Sequence, residues 1–307
     1  MLIAMDHGNK QTKLVRSEPF ISGLSESEVR PFGTDVLKYR EKYYQISGQR
    51  IPYHRDKTED DRFFILTLFG IAKEIEATGA YTPSIIRVQL AVGLPPAHYG
   101  AQSEKFAQYF SRRGVVSFAY RDKPYSVSIE DVACYPQSYA AAVAILPTLT
   151  TVPLALVVDI GGYTLDYLCI KKGRGDLASC DSLENGVIML YNKIISKVRA
   201  AQDILLSEDE IDAILLKQSV QGLQEVIPVV ERCAQEFVAD LLSALRERQL
   251  ELRTAPVIFV GGGSILLKRH IEASGKVAHP VFVEDIRANV RGYETLYRLS
   301  HSGRSQA

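Results

Sequence analysis

Apolar and polar positions follow two periods along this chain. Residues 2 to 6 read as a short apolar strand, and after a turn over 7 to 12 the run 13 to 16 can return beside it as a hairpin. The pattern recurs at 154 to 171, where an apolar strand, a glycine turn and a second strand follow one another. Each turn opens on an aspartate, Asp6 and Asp159, and the two lie about half the chain apart, which implies two related domains facing each other. Between them a helical period begins at Thr58. Asp61 completes a capping box, Phe64, Leu68, Ile71 and Ile75 share one stripe, and Gly79 ends the run.

A strand over 85 to 92 follows and ends in GLPP. A helix over about 101 to 112, strands near 115 to 120 and 125 to 134, and an Ala-rich helix from Gln137 complete the first half. The second half predicts a helix after Gly186, carried by Val187, Leu190, Ile194, Ile195 and Val198, then a polar segment over 207 to 212. A long helix over about 228 to 250 comes next. A strand over 256 to 260 leads into GGGS, a helix from Ile265, a strand over 280 to 283 and a last helix over about 285 to 299. Strands and helices in alternation, with hairpins among them, make an α/β chain whose mixed sheets are covered by helices.

From 132 to 158 there is no charged residue, a stretch long enough for a membrane span on length alone. Pro136, Pro147 and Pro153 divide it, and a proline inside a helix costs roughly 3 kcal/mol, so it reads as strand end, buried helix, turn and buried strand. Lysine plus arginine and aspartate plus glutamate are equal at 36 each, so no global charge recruits nucleic acid or an anionic membrane. Arg287, Arg291, Arg298 and Arg304 stand at helical spacing among acidic neighbours, which reads as a solvated face. Cys134, Cys169, Cys180 and Cys233 have no metal-ligand or redox spacing, and the six histidines show no paired spacing. The start, MLIAMD, reaches an acidic residue before an apolar leader could form, so the expectation is a cytoplasmic protein with reduced thiols.

The sharpest chemistry lies in VVDIGGYTLDYLCI, residues 157 to 170. A glycine pair between two strands lets backbone N–H groups point into a tight concave turn where phosphate oxygens can sit. Asp159 and Asp166 flank that turn and can hold a hydrated divalent cation. Taken with DHGNKQTK at 6 to 13 and VIFVGGGS near the C-terminus, the three fragments point to a bound nucleoside triphosphate.

These fragments, together with DKTEDDRFFILTLFGIAKE (56 to 74), VGLPP (92 to 96), YPQSYAA (135 to 141), ENGVIMLYNKI (184 to 194) and NVRGYETL (289 to 296), resemble the actin, sugar-kinase and chaperone-ATPase superfamily. Within it they are similar to the bacterial actin-like plasmid-segregation proteins of the ParM/StbA type. The resemblance spans nearly the whole chain. It implies an actin-like (ribonuclease H-like) α/β fold of two domains, 1–147 with about 288–307 and 148–287, flanking a cleft that holds ATP or GTP with Mg2+. Asp6, Gly8, Asn9 and Lys13 match the first phosphate loop, where Lys13 would balance phosphate charge. Asp159, Gly161, Gly162, Tyr163, Thr164 and Asp166 match the second loop, and Gly261, Gly262, Gly263 and Ser264 match the adenosine motif. The helix after Gly186 would border the nucleoside, with Asn192 and Lys193 as candidates, and Asp6, Asp159 and Asp166 would reach the metal through water.

One position departs from the pattern. ParM-type proteins commonly carry glutamate after the proline of this segment, whereas the chain has Gln137, which can orient the attacking water but cannot accept its proton at neutral pH. Conventional actins also carry glutamine there and hydrolyse slowly until polymerised. The resemblance therefore implies catalytic roles for Gln137, Asp159 and Asp6 in an ATPase that assembly accelerates. The implied output is a homopolymeric filament that moves or holds DNA through a DNA-binding adaptor protein, with no direct sequence-specific nucleic-acid binding and no membrane contact. The rival is an acceptor-dependent small-molecule kinase of the same superfamily, but no acidic residue beside VGLPP or YPQSYAA plainly serves as its base.

Overall fold

The computed structural model describes residues 1–111 and 114–302. The chain divides into two compact units, Met1–Ala144 with the segment from Arg287 onward, and Ile145–Ile286.

The first unit runs β1 (Leu2–His7), β2 (Gln11–Leu14), β3 (Phe20–Ile21), β4 (Gly23–Ser27), β5 (Val36–Tyr39), β6 (Lys42–Arg50), α1 (Arg62–Thr78), β7 (Ile86–Leu94), α2 (Pro96–Phe110), β8 (Val115–Tyr120), β9 (Lys123–Pro136) and α3 (Tyr139–Ala142). Its nine strands form one sheet in the order β3-β2-β1-β7-β9-β8-β5-β6-β4. β1 pairs antiparallel with β2 and parallel with β7, which is parallel to β9 in turn. Alternation along β1 assigns its side chains to two faces. Ile3 and Met5 enter a core built with Phe64, Leu68 and Ile71 of α1 and Phe106 and Phe110 of α2, while Ala4 packs with Val290, Tyr293 and Tyr297.

The second unit holds β10 (Ala155–Ile160), β11 (Leu165–Lys171), β12 (Arg174–Leu183), α4 (Val187–Gln202), α5 (Glu208–Leu215), α6 (Ile227–Glu247), β13 (Val257–Val260), α7 (Gly262–Ala273) and β14 (Pro280–Phe282). Its five strands lie in the order β12-β11-β10-β13-β14, the first two pairings antiparallel and the last two parallel. The first five strands of the other sheet, β3-β2-β1-β7-β9, carry the same sequence of pairings. Each unit is thus built on a ribonuclease H-like sheet, and the two together make an actin-like fold of mixed sheets flanked by helices. After the second unit the chain returns to the first as α8 (Ala288–Ser302). There Asn289 Oδ1 accepts the Ser138 N–H at 3.0 Å, Gly292 lies against the Ala140 carbonyl and the Tyr293 ring against Gly93.

Several boundaries differ from the sequence reading. The helix expected from Thr58 starts at Arg62, because the Thr58 N–H and hydroxyl both donate to Asp56, at 2.9 and 2.6 Å; Asp61 makes no side-chain cap. A local aspartate turn has captured the Thr58 N–H that a capping box would use, and has made the hydroxyl a donor where the box needs an acceptor. Gly79 does close α1, in the left-handed conformation. α2 begins five residues earlier than expected, with Pro96 in its first turn, where a missing N–H costs nothing. The Ala-rich helix shrinks to α3 and a 3-10 turn over Leu146–Leu149, since Pro147 disfavours helix before it. The polar stretch at 207 to 212 is helical, with Ser207 and Glu210 forming a capping box for α5. Strands β3 to β6 and β12 had no reading at all.

Arg287 pairs with Glu18 at 3.0 Å and Arg298 with Glu294 at 2.7 Å. Arg304, and Arg112 at the expected end of the second helix, lie outside the described residues. The four cysteines are free thiols. Among the described residues no helix is long and apolar enough to cross a membrane.

Candidate phosphate-binding turns

Strand alternation places the first turn's key side chains. His7 follows Ile3 and Met5 into the core, stacked on Phe110 and edge-on to Phe63 and Phe106, while Asp6 turns to the other face, only 2 % exposed. Asp6 Oδ1 accepts the Gln137 amide N–H at 2.8 Å. Lys13 stands directly opposite Asp6 across the hairpin, its Nζ 3.4 Å from Oδ2. The structure therefore brings Gln137, which is distant in sequence, to Asp6 and Lys13 of the hairpin, beside the half-buried Gly8 and Asn9.

The carbonyls of this turn are held from within the unit. The Lys57 ammonium donates to the His7 carbonyl, the Ser22 hydroxyl to the Gly8 carbonyl at 2.6 Å, and the Ser22 N–H to the Lys10 carbonyl at 3.1 Å. In a trans peptide the following N–H points opposite the C=O. Each anchored oxygen therefore directs the following N–H, of Gly8, Asn9 and Gln11, away from its own anchor, and successive N–H groups freed in this way can meet an anion. The Thr67 hydroxyl donates to the Phe63 carbonyl at 2.8 Å, so His7 Nε2, also 2.8 Å away, must be the donor to Thr67. His7 Nδ1 has no hydrogen-bond partner among the described residues. Burial and the nearby Lys57 charge push the His7 pKa down to about 3, so the ring is neutral.

The second turn reaches the same result with main chain. The N–H groups at the start of α4 donate to its carbonyls: Gly186 to Tyr163 at 2.8 Å, Val187 to Gly161 at 3.1 Å, and Ile188 to Gly162 at 2.9 Å. The helix thus spends its otherwise unpaired first donors on the turn. The N–H groups of Gly162, Tyr163 and Thr164 are consequently turned away from α4. Gly186 has to be glycine, because a Cβ there would collide with the backbone of Gly162 and Tyr163. Leu156, Val158 and Ile160 point into the core, and Asp159 takes the opposite face. Asp166 stands directly across the hairpin from Asp159, where two like charges oppose unless cations or donors offset them. Asp166 accepts from the Thr164 hydroxyl at 3.0 Å and from the Ser182 hydroxyl. The Tyr163 hydroxyl lies 3.4 Å from Glu184.

The third cluster abuts the second. Gly261 adopts φ 85°, and a side chain there would strike the Asp159 carboxylate; one at Gly263 would strike Ile160 and Val187. Gly262 and Gly263 form the first turn of α7, three residues ahead of the expected helix start. Ser264 is fully buried and donates its hydroxyl to the Val260 carbonyl, so its side chain braces strand to helix. On α4, Asn192 is exposed, and Lys193 pairs with Glu236 at 2.8 Å.

Ser22, Lys57 and Ser182 had no assigned role from sequence. Lys57 stood inside a quoted motif without a signal of its own, and the serines carry none. Among the described residues no three His, Cys, Asp or Glu side chains group as a direct metal cage. The oxygen donors present suit Mg2+ instead, which keeps several waters and takes one or two carboxylates beside substrate phosphates.

Comparisons with known proteins agree with this architecture. Residues 4–139 match the model of the actin-like proteins' N-terminal domain, and residues 157–273 that of the archaeal MreB-like actin homologue's C-terminal domain. No curated protein matches the sequence. The native structure of Ta0583, an archaeal actin homologue, shares 20% identity over 97% of this chain and 99% of its own, with a TM-score of 0.75. ParM of Bacillus thuringiensis with ATP shares 12% identity over 98% of this chain and 99% of its own, at TM-score 0.73. The Alp12 filament structure shares 16% over 97% and 98%, at TM-score 0.65. With an actin-type domain model matched in each unit and the fold shared end to end, this chain has the actin-like fold.

Proposed function

We propose that this chain is a nucleotide-dependent, filament-forming ATPase of the ParM type that segregates DNA through an adaptor protein in the cytoplasm. The observation that carries the reading is the pair of turns whose carbonyls are pinned so that consecutive N–H groups face away from the supporting structure. Such donors meet phosphate oxygens, and aspartates stand at the strand ends beside both turns. The nucleotide is ATP or GTP. The similar ParM carries ATP, and the Alp12 structure is a filament, which supports both parts of the proposal.

Bound Mg2+ offsets the charge of the β- and γ-phosphates; Asp159, Asp166 and Asp6 are the residues that would hold it, through water. Lys13 adds positive charge beside the first turn. Asp6 commits the Gln137 amide nitrogen, which leaves the amide oxygen as the group that accepts a hydrogen bond from water. Glutamine orients this nucleophile without taking its proton, so turnover in the monomer is slow and the contacts of assembly raise it. Head-to-tail addition of subunits, a heterologous contact that does not close, gives a filament.

Light scattering and phosphate release after addition of ATP and Mg2+ test this, with Asp159→Ala as the control. A rise in scattering that decays as phosphate appears is the expected result. ADP formation that requires a sugar or similar acceptor, with the phosphoryl group carried to that acceptor and no free phosphate released, would replace the filament reading with that of a small-molecule kinase.

A further inference from the structure

We propose that Ser22 and Lys57 are positioning residues for the nucleotide's phosphates, bracing the first turn from behind while Lys57 adds a buried positive charge next to it. The inference rests on the nucleotide reading above. Neither residue belongs to the phosphate motif, and both are buried: Ser22 is 1 % exposed and Lys57 6 %.

Burying an ammonium is costly unless it is well bonded, so its position needs a reason. Here the Lys57 ammonium donates to the His7 carbonyl, the last one of β1, and stands 5.4 Å from the Phe63 ring centre. The carbonyl it holds sits immediately ahead of Gly8, so the charge lies one peptide from the turn.

Ser22 spans the rest of the turn. Its hydroxyl donates to Gly8 and its N–H to Lys10, while the Thr12 hydroxyl, 3.0 Å away, donates to Ser22 Oγ and fixes its rotamer. Each anchored oxygen fixes one peptide plane. If the anchor is removed the plane can rotate, and a rotated peptide presents an acceptor where phosphate needs a donor. One lost side-chain bond therefore removes an attraction and introduces a repulsion. The second turn is proof against this failure, because its carbonyls are held by helix main chain.

The test compares the affinities of ATP, ADP and adenosine, by displacement of a fluorescent ATP analogue, in Ser22→Ala, Lys57→Met and Lys57→Gln. Ser22→Ala and Lys57→Met are expected to weaken ATP and ADP by about tenfold or more and to leave adenosine within about twofold of wild type. Lys57→Gln can still donate to His7 but has no charge, and should recover part of the loss. Unchanged ATP affinity in both Ser22→Ala and Lys57→Met overturns the proposal. So does a parallel loss of adenosine with a lowered urea midpoint, which would make the two residues ordinary supports of folding. A wild-type protein that binds no nucleotide removes the reading beneath it instead, an outcome visible before any variant is made.

Discussion

The two units solve one problem with different materials. Each begins its sheet with an apolar strand whose penultimate residue is aspartate, a tight turn and an antiparallel return strand. In the second unit the carbonyls of the turn are pinned by the N–H groups that open α4, so every support is backbone. In the first unit the corresponding supports are chiefly side chains, from Lys57 and Ser22. The residue after the aspartate also differs: Ile160 completes an apolar core, whereas His7 brings an imidazole into a ring of phenylalanines and needs Thr67 to satisfy it. A backbone-held turn tolerates most side-chain changes and fails where a Cβ intrudes. A turn held by side chains fails when one is removed.

The largest expected effect follows from that intrusion. Gly186→Ala forces its Cβ into the Gly162 and Tyr163 backbone and should cost about 4 kcal/mol in urea unfolding, with loss of nucleotide binding. Near-native stability in this variant would break the contrast, since it would show the second turn to be as adaptable as the first.

Acid should expose the imidazole next. The folded His7 pKa lies near 3, below the ordinary 6.5, so between these values the unfolded chain binds the extra proton. The stabilisation is complete above pH 6.5 and is lost as pH falls toward 3. Lowering the pH from 7 to 4.5 should cost on the order of 3 kcal/mol from this group alone. His7→Ile, which copies Ile160 into the first unit, should flatten that part of the curve of melting temperature against pH; an unaltered slope would place the acid sensitivity elsewhere.

The smallest effect is expected from Thr67→Val, which leaves the His7 Nε2–H without its acceptor and should cost about 2 kcal/mol. In the His7→Ile background the same change should cost much less, because no donor then remains to be satisfied. Equal costs in the two backgrounds would show that the histidine and threonine act independently.

The glycine turns were legible from sequence because they depend on glycine and on strand periodicity, both local. The same is true of the Gly79 helix end and of α4 after Gly186. The partnership of Asp6 with Gln137 follows from three-dimensional proximity across 131 positions, and periodicity carries no trace of it. Thr58 shows local rules in competition: a capping box and an aspartate turn claim the same backbone N–H, and Asp56 won. Strand β12 was missed because its residues are mostly half-buried or exposed, so no apolar alternation marked it. Ser22 and Lys57 read as an ordinary serine and lysine until the chain folds around the turn.

The return of the last helix has a temporal consequence. Residues 145 to 286 carry all five strands of their own sheet, whereas Ser138, Ala140 and Gly93 receive their neighbours from Asn289, Gly292 and Tyr293. As the polypeptide leaves the ribosome, the inserted unit is complete while its host still lacks a wall. The opening strands must wait for α8, and the nascent host exposes the apolar flank of β1 and β7 until that helix emerges.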